Sequence, residues 1–221
     1  LAISHVGLEK YLSQHGREWE RYAWIKARVI TGGKDGADLM EMARPFVFRR
    51  YVDYSAFAAM REMKAMIERE VMRRNIEDDI KLGEGGIREI EFIVQVFQLI
   101  YGGSKRVLQD RQCLVSLHHL GQAELLSSQA VLDLEDAYLF LRRVEHAIQA
   151  LNDQQTQSLP VEAELRQRMI ETLGFADWQS FLDVLNQKRD KVKVQFKQLI
   201  QEQEFSSPSD PSTELEQKLN A

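Results

Sequence analysis

The sequence predicts an all-α chain, a multi-helix bundle packed around one central buried helix at about residues 87–101. Three observations carry that prediction. Apolar residues recur at helical spacing in segment after segment, with glycines, prolines and polar clusters between them. The run Ile87–Ile100 is apolar in nearly every direction of a helical projection, save a narrow stripe of Arg88, Glu91, Gln95 and Gln98. Hydrophobic residues make up 44% of 221 residues beside 29% charged ones, enough to bury a sizeable core.

Taken in order, Leu1–Val6 reads as a residual strand at the N-terminus. Ser4 can N-cap a first helix through Leu8, Tyr11 and Leu12, ending near His15-Gly16. A second helix is expected over Arg17–Ile30, with Trp19, Tyr22, Ala23, Lys26 and Ile30 on one side. Arg17, Arg21, Trp24 and Arg28 fall on the other, either a solvated basic face or one turned to a polyanion, since arginine forks suit phosphate and a flat ring suits adenine. Thr31–Asp38 is a turn and no phosphate cradle, because no Gly-Lys-Ser/Thr follows its glycines. Leu39–Ala43 reads as a short helix interrupted at Arg44-Pro45. Phe46–Tyr51 fits either a short strand or a turn of helix.

Ser55 or Asp53 then caps a long helix through Met60, Met63, Met66, Ile67 and Val71 to Arg74, its methionines being core filler. The central helix follows a glycine cluster at Gly83, Gly85 and Gly86 and stops at Gly102-Gly103. Arg111–Leu120 is a helix. Another runs from Ser127 or Ser128 to Leu151 on a stripe of Val131, Leu134, Ala137, Tyr138, Leu141, Val144 and Ile148, leaving Arg142, Arg143, Glu145 and His146 off the core. Asn152–Pro160 is turn-like, Val161–Leu173 is a helix closed by Gly174, and Asp177 caps a last helix, Trp178–Glu204. Residues 1–204 thus form a helical domain. Residues 205–221, rich in Ser, Pro, Asp and Glu, read as a linker or tail.

Composition excludes several classes. A net charge of −5 argues against a general nucleic-acid binder, whose phosphate contacts need a basic excess. No run has the roughly 18 apolar residues of a membrane span, so no membrane partner is expected. The single cysteine, Cys113, rules out an intrachain disulfide, suits a cytoplasmic setting and reads as a buried thiol. His118-His119 point in different directions on a helix, so no metal site is expected there. The start at Leu1 suggests an excised fragment.

One stretch carries chemistry. Asp79–Phe92 sets Lys81 and Arg88 beside three glycines at a helix N-terminus, a reasonable anion site. Equally, Arg88 can pair with Glu91 and the glycines can form a plain tight turn. The run KLGEGGIREIEFIVQVFQLI, with GREWERYAWIKAR at Gly16–Arg28, RPFVFRRYVDYS at Arg44–Ser55 and NDQQTQSLP at Asn152–Pro160, resembles the bacterial glutamine-synthetase adenylyltransferase family. The likeness covers about Ile3 to Ile200. It is closer to the N-terminal half, whose segment reads KLGxGGIREIEF.

That resemblance implies an enzyme of two related nucleotidyltransferase halves, this one removing AMP from an adenylylated tyrosine of glutamine synthetase by phosphorolysis, with ADP as product. It implies Mg²⁺ and ATP, ADP or phosphate as cofactors of the parent enzyme. It implies glutamine synthetase, the PII signal protein and the enzyme's other half as partners. The family's metal carboxylates have no counterpart here and are expected before Leu1, so no catalytic or metal-binding residue is assigned. The nucleotide- or phosphate-binding candidates are Lys81, Gly83, Gly85, Gly86 and Arg88, with Arg21, Lys26 and Arg28 as further cations. Glu89 and Glu91 are candidate orienting carboxylates. The alternative is a helical docking module for glutamine synthetase or PII, without chemistry.

Overall fold

The computed structural model describes residues 3–50, 69, 78–152 and 156–202. Among these the chain is all-α: eight α-helices and one 3-10 turn, with a lone antiparallel bridge between Asp79 and Ser158 in place of a sheet. The helix expected from residue 53 or 55 to Arg74 (Arg69 apart) and the tail beyond residue 204 lie outside the described residues. No described helix is long and apolar enough to cross a membrane.

The N-terminal helices form a small group. Helix α1 spans His5–Gln14, N-capped by Ser4, whose Oγ accepts from the Gly7 amide at 3.1 Å. Val6 lies within this helix, so in its described part, residues 3–6, the expected strand over Leu1–Val6 gives way to a helix and its cap. Helix α2 is shorter than expected, Glu18–Trp24. Beyond it the Lys26 and Ala27 amides bond only three residues back, to Ala23 and Trp24, which tightens and ends the helix. Helix α3, in contrast, is longer: Gly33–Val47 runs straight through Pro45, and the Phe48 amide still bonds to Arg44. Proline costs this helix one donor, but it sits in the last turn, where little helix remains to be disrupted.

The central helix α4, Ile87–Tyr101, has eleven buried residues and packs against α2, the 3-10 turn Arg106–Gln109 and three later helices. Those are α5 (Cys113–Gln122), α6 (Ser128–Asn152) and α8 (Trp178–Glu202), with α7 (Ala163–Leu173) between the last two. Each fully buried Ile or Leu on α4 contributes about 1.5–3 kcal/mol, so this helix anchors the bundle. Phe92 links three layers, with ring contacts to Tyr22 of α2 at 5.9 Å and Phe196 of α8 at 5.6 Å. Gly102 ends α4 with φ −62°. Its neighbour Gly103 is needed for close approach: a Cβ there would fall 1.7 Å from the Arg49 carbonyl oxygen.

Two polar side chains are fully buried, Arg21 from the expected basic face and Gln98 from the stripe of the central helix. Arg21 is fully buried, its Nε and Nη2 donating to the Val47 carbonyl at 3.3 and 3.2 Å and its Nη1 to Glu18 at 2.5 Å. Val47 ends α3, where carbonyls lack helical partners, so the guanidinium satisfies a helix terminus. Gln98, the fourth member of the polar stripe, is also fully buried, and its Nε2 lies 2.6 Å from both the Leu108 and Asp110 carbonyls.

Candidate functional site

The glycine loop before α4 is folded onto itself. Asp79 starts it: its Oδ1 accepts from the Lys81 and Leu82 amides at 2.8 and 2.7 Å, an Asx turn. The Gly83 amide donates to Asp79 O, the Gly86 amide to Gly83 O, and the Gly85 amide to the Glu89 carboxylate at 3.0 Å. Ile87 and Arg88 donate back to Ile80 and Lys81. All three glycine amides therefore donate within the chain, and of the two readings open for Gly83, Gly85 and Gly86 this geometry is that of a self-capped turn. Glu89 caps that turn.

Gly85 takes φ +71°, and a Cβ on it would lie 2.5 Å from the Arg189 carbonyl oxygen of α8. Arg189, 9% exposed, reaches the same loop and donates Nη2 to Asp79 O at 2.8 Å. Lys193, one turn on, meets Glu84 at 3.2 Å. The loop is thus clamped to α8.

What the loop does offer is side chains on its other side. Lys81, Leu82, Arg88, Glu91 and Gln95 line an open cleft of about 870 Å³. Tyr22 and Lys26 line it from α2 and its exit, Arg111 to Leu114 from the start of α5, and Tyr138 from α6. Three of the four stripe residues on α4 therefore face space. Four cations, Lys26, Lys81, Arg88 and Arg111, stand around one carboxylate, Glu91. Among the described residues no carboxylate forms an ion pair with Arg88, so the expected Arg88–Glu91 pair is not made. The Arg88 and Lys81 main chains are tied, Arg88 N to Lys81 O at 3.1 Å, which keeps these two cations adjacent.

Glu91 accepts from the Tyr138 hydroxyl at 3.5 Å. Burial first, then Cys113 and the Glu91 charge, push the Tyr138 hydroxyl up to about 12, and burial with Glu91 raises Tyr22 as well. Burial pushes the Cys113 thiol up to about 12 against the pull of Lys26. Near neutral pH these three groups are protonated, so the cleft offers hydroxyl donors and cations to an anion and no thiolate nucleophile.

A second cleft of about 900 Å³ adjoins the first, sharing Lys26, Arg111 and Gln112. Arg28 and Trp24 line it, over a floor of Ile25, Ala43 and Val47. The sequence candidates therefore divide: Lys81, Arg88, Lys26 and Glu91 meet in the first cleft, Arg28 lies in the second, and Arg21 lies in neither lining, buried against Val47. Arg111 and Tyr138 join the first cleft unannounced by any motif, and Tyr22, inside GREWERYAWIKAR, joins it without having been singled out. Among the described residues Glu91 is the carboxylate that lines it. Among the described residues no group of three or more His, Cys, Asp or Glu could hold a metal ion.

Among the described residues, the fold and the cleft define an all-helical module that gathers cations around open space. The family model described as GlnD PII-uridylyltransferase matches residues 61–200, and the one described as Glutamate-ammonia ligase adenylyltransferase matches residues 1–41. The chain belongs to the family that the first of these models describes. A protein of that name from Acinetobacter baylyi is 78% identical over 221 residues, all of this chain and 24% of the relative. Namesakes from Chromobacterium violaceum and Haemophilus ducreyi are 52% and 46% identical over 97% of this chain, covering 24% and 25% of theirs. The chain spans about a quarter of the length of these curated relatives. The first cleft draws Tyr22 and Lys26 from the segment matched by one model and its other residues from the segment matched by the other.

Proposed function

We propose that this chain is the helical domain, residues 1–204, that follows the nucleotidyltransferase core of the deadenylylating half of a glutamine-synthetase adenylyltransferase/adenylyl-removing enzyme. Its first cleft holds a phosphate-bearing reactant. The names of the relatives support the parent activity, and the form KLGEGGIREIEF supports the half. In that reaction an orthophosphate oxygen bonds to the phosphorus of tyrosine-linked AMP, the bond to the tyrosine oxygen breaks, and ADP and tyrosine result. Such transfers depend on placement and charge neutralisation more than on covalent help from side chains. Lys81 and Arg88, with Lys26 and Arg111 at the rim, neutralise the anion. Tyr138, reaching across from α6, and Glu91, one turn along from Arg88, order the adjoining wall.

Mg²⁺, with ATP, ADP or phosphate, belongs to the parent protein and binds through carboxylates outside this segment. Glutamine synthetase is the substrate, PII and the enzyme's other half are the regulatory partners, and the cytoplasm is the setting. The observation that carries the reading is Arg88: a half-buried guanidinium on the central helix, facing open space, with no carboxylate paired to it among the described residues.

Arg88→Ala in the full-length protein tests it. The expected result is a fall in deadenylylation of roughly 10²-fold, with the affinity for glutamine synthetase nearly unchanged. Full turnover combined with lost binding of glutamine synthetase or PII would hand the segment to the docking reading.

A further inference from the structure

Glu145 lies on α6, outside the residues assigned to the cleft, and is 2% exposed. A carboxylate so buried costs several kcal/mol unless it is paired. Arg142, one turn earlier, pairs with it: Nη1 donates to Oε2 at 2.5 Å. The other oxygen, Oε1, stands 3.9 Å from the Lys81 ammonium. That separation is too long for a hydrogen bond but short enough for a strong charge attraction in a partly buried place. Lys81 itself is held at its main chain, amide to Asp79 Oδ1 and carbonyl to the Arg88 amide. Only its four-carbon stem is left to wander, and Glu145 lies where it can restrain that stem.

We propose that Glu145 is the positioning residue for Lys81, aiming the ammonium into the first cleft beside Arg88 while leaving its N–H donors for an anionic ligand. The geometry distinguishes this from an ordinary ion pair. Arg142 satisfies the carboxylate through Oε2, so the trio keeps a surplus positive charge, and Lys81 carries it at the cleft wall. A phosphate entering the cleft completes the set. The inference rests on the reading of the cleft as a phosphate site and names a residue that reading does not use.

The test measures the orthophosphate dependence of deadenylylation in the full-length protein, with KM and kcat separated, for Lys81→Ala, Glu145→Gln, both together, and Glu145→Asp. Melting temperatures are taken alongside. Glu145→Gln is expected to raise the phosphate KM roughly three- to tenfold, as loss of a partly buried charge contact should, with kcat within about twofold. Asp at 145 keeps the charge and should bring KM part of the way back. In the Lys81→Ala background Glu145→Gln should add no further rise. An equal rise with and without Lys81, or a lower melting temperature with KM unmoved, would reduce Glu145 to a packing role and overturn the inference. If Lys81→Ala itself leaves the phosphate KM unchanged, the cleft reading fails first and the inference fails with it. That pattern is distinct from one in which Lys81 matters and Glu145 does not.

Discussion

Lys26 and Arg111, 85 residues apart, meet at 2.7 Å, the ammonium of one donating to the main-chain carbonyl of the other. The contact joins the exit of α2 to the approach of α5 and stands on the wall common to both clefts. Cutting it with Lys26→Met should lower stability by about 0.5–1.5 kcal/mol, read as a shift of the urea midpoint at constant m. An unchanged midpoint would mean the tie is open in solution.

Two glycines with positive φ should respond unequally to alanine. At Gly85, φ +71° is joined by a Cβ clash of 2.5 Å with the Arg189 carbonyl oxygen, whereas Gly174, φ +82°, has open space around the added atom. Gly174→Ala should cost about 1 kcal/mol. Gly85→Ala should cost about 2–4 kcal/mol, because the loop must also leave α8. Chemical denaturation of both variants decides it, and the reverse order would contradict the described packing.

Arg21 and Arg28 look alike in the sequence and should behave differently. Arg21→Met strands the Val47 carbonyl in the interior and should cost about 2–4 kcal/mol. Arg28→Met, at an exposed position, should stay within about 0.5 kcal/mol. Thermal unfolding of the two variants side by side is sufficient.

Alkaline pH should unfold this protein through its buried acids. Cys113 and Tyr138 ionise near 12 in the folded chain and near their ordinary 9.0 and 10.0 in the unfolded one, and Tyr22 is raised too. The unfolded state therefore releases protons first. The stability these groups contribute is complete below pH 9 and drains away as pH rises from 9 through 12. Urea midpoints should be level from pH 8 to 9 and fall from pH 9 to 11, and Tyr138→Phe should flatten the fall. A level profile would show that these groups are already solvated in the native state.

The central helix was legible because both its period and its glycine borders are local. Ser4 and Gly174 were legible for the same reason, being caps whose chemistry lies within one turn. The failures share a cause, which is that the deciding partner is remote in sequence. Helix α2 stops six residues early as the chain turns toward the Lys26–Arg111 contact. Arg21 faces inward because the end of α3 offers it a bare carbonyl. Glu145 falls off an apolar stripe and is nonetheless buried, since Arg142 and Lys81 arrive from either side. The glycine loop is a different case. Asp79 just ahead of the cluster is an Asx-turn signal, and it pointed to amides spent at home rather than held out for a ligand.

The two longest helices carry a last consequence. On α8, Lys188 pairs with Asp136 and Lys191 with Asp133, so a turn forward on one helix is a turn backward on the other. Paired teeth of this kind resist lengthwise slip, because a slide of one turn would leave a lysine and an aspartate without mates. Because Arg189, on α8, also holds Asp79 O, locking the register of α8 on α6 fixes as well where the turn that carries Lys81 stands.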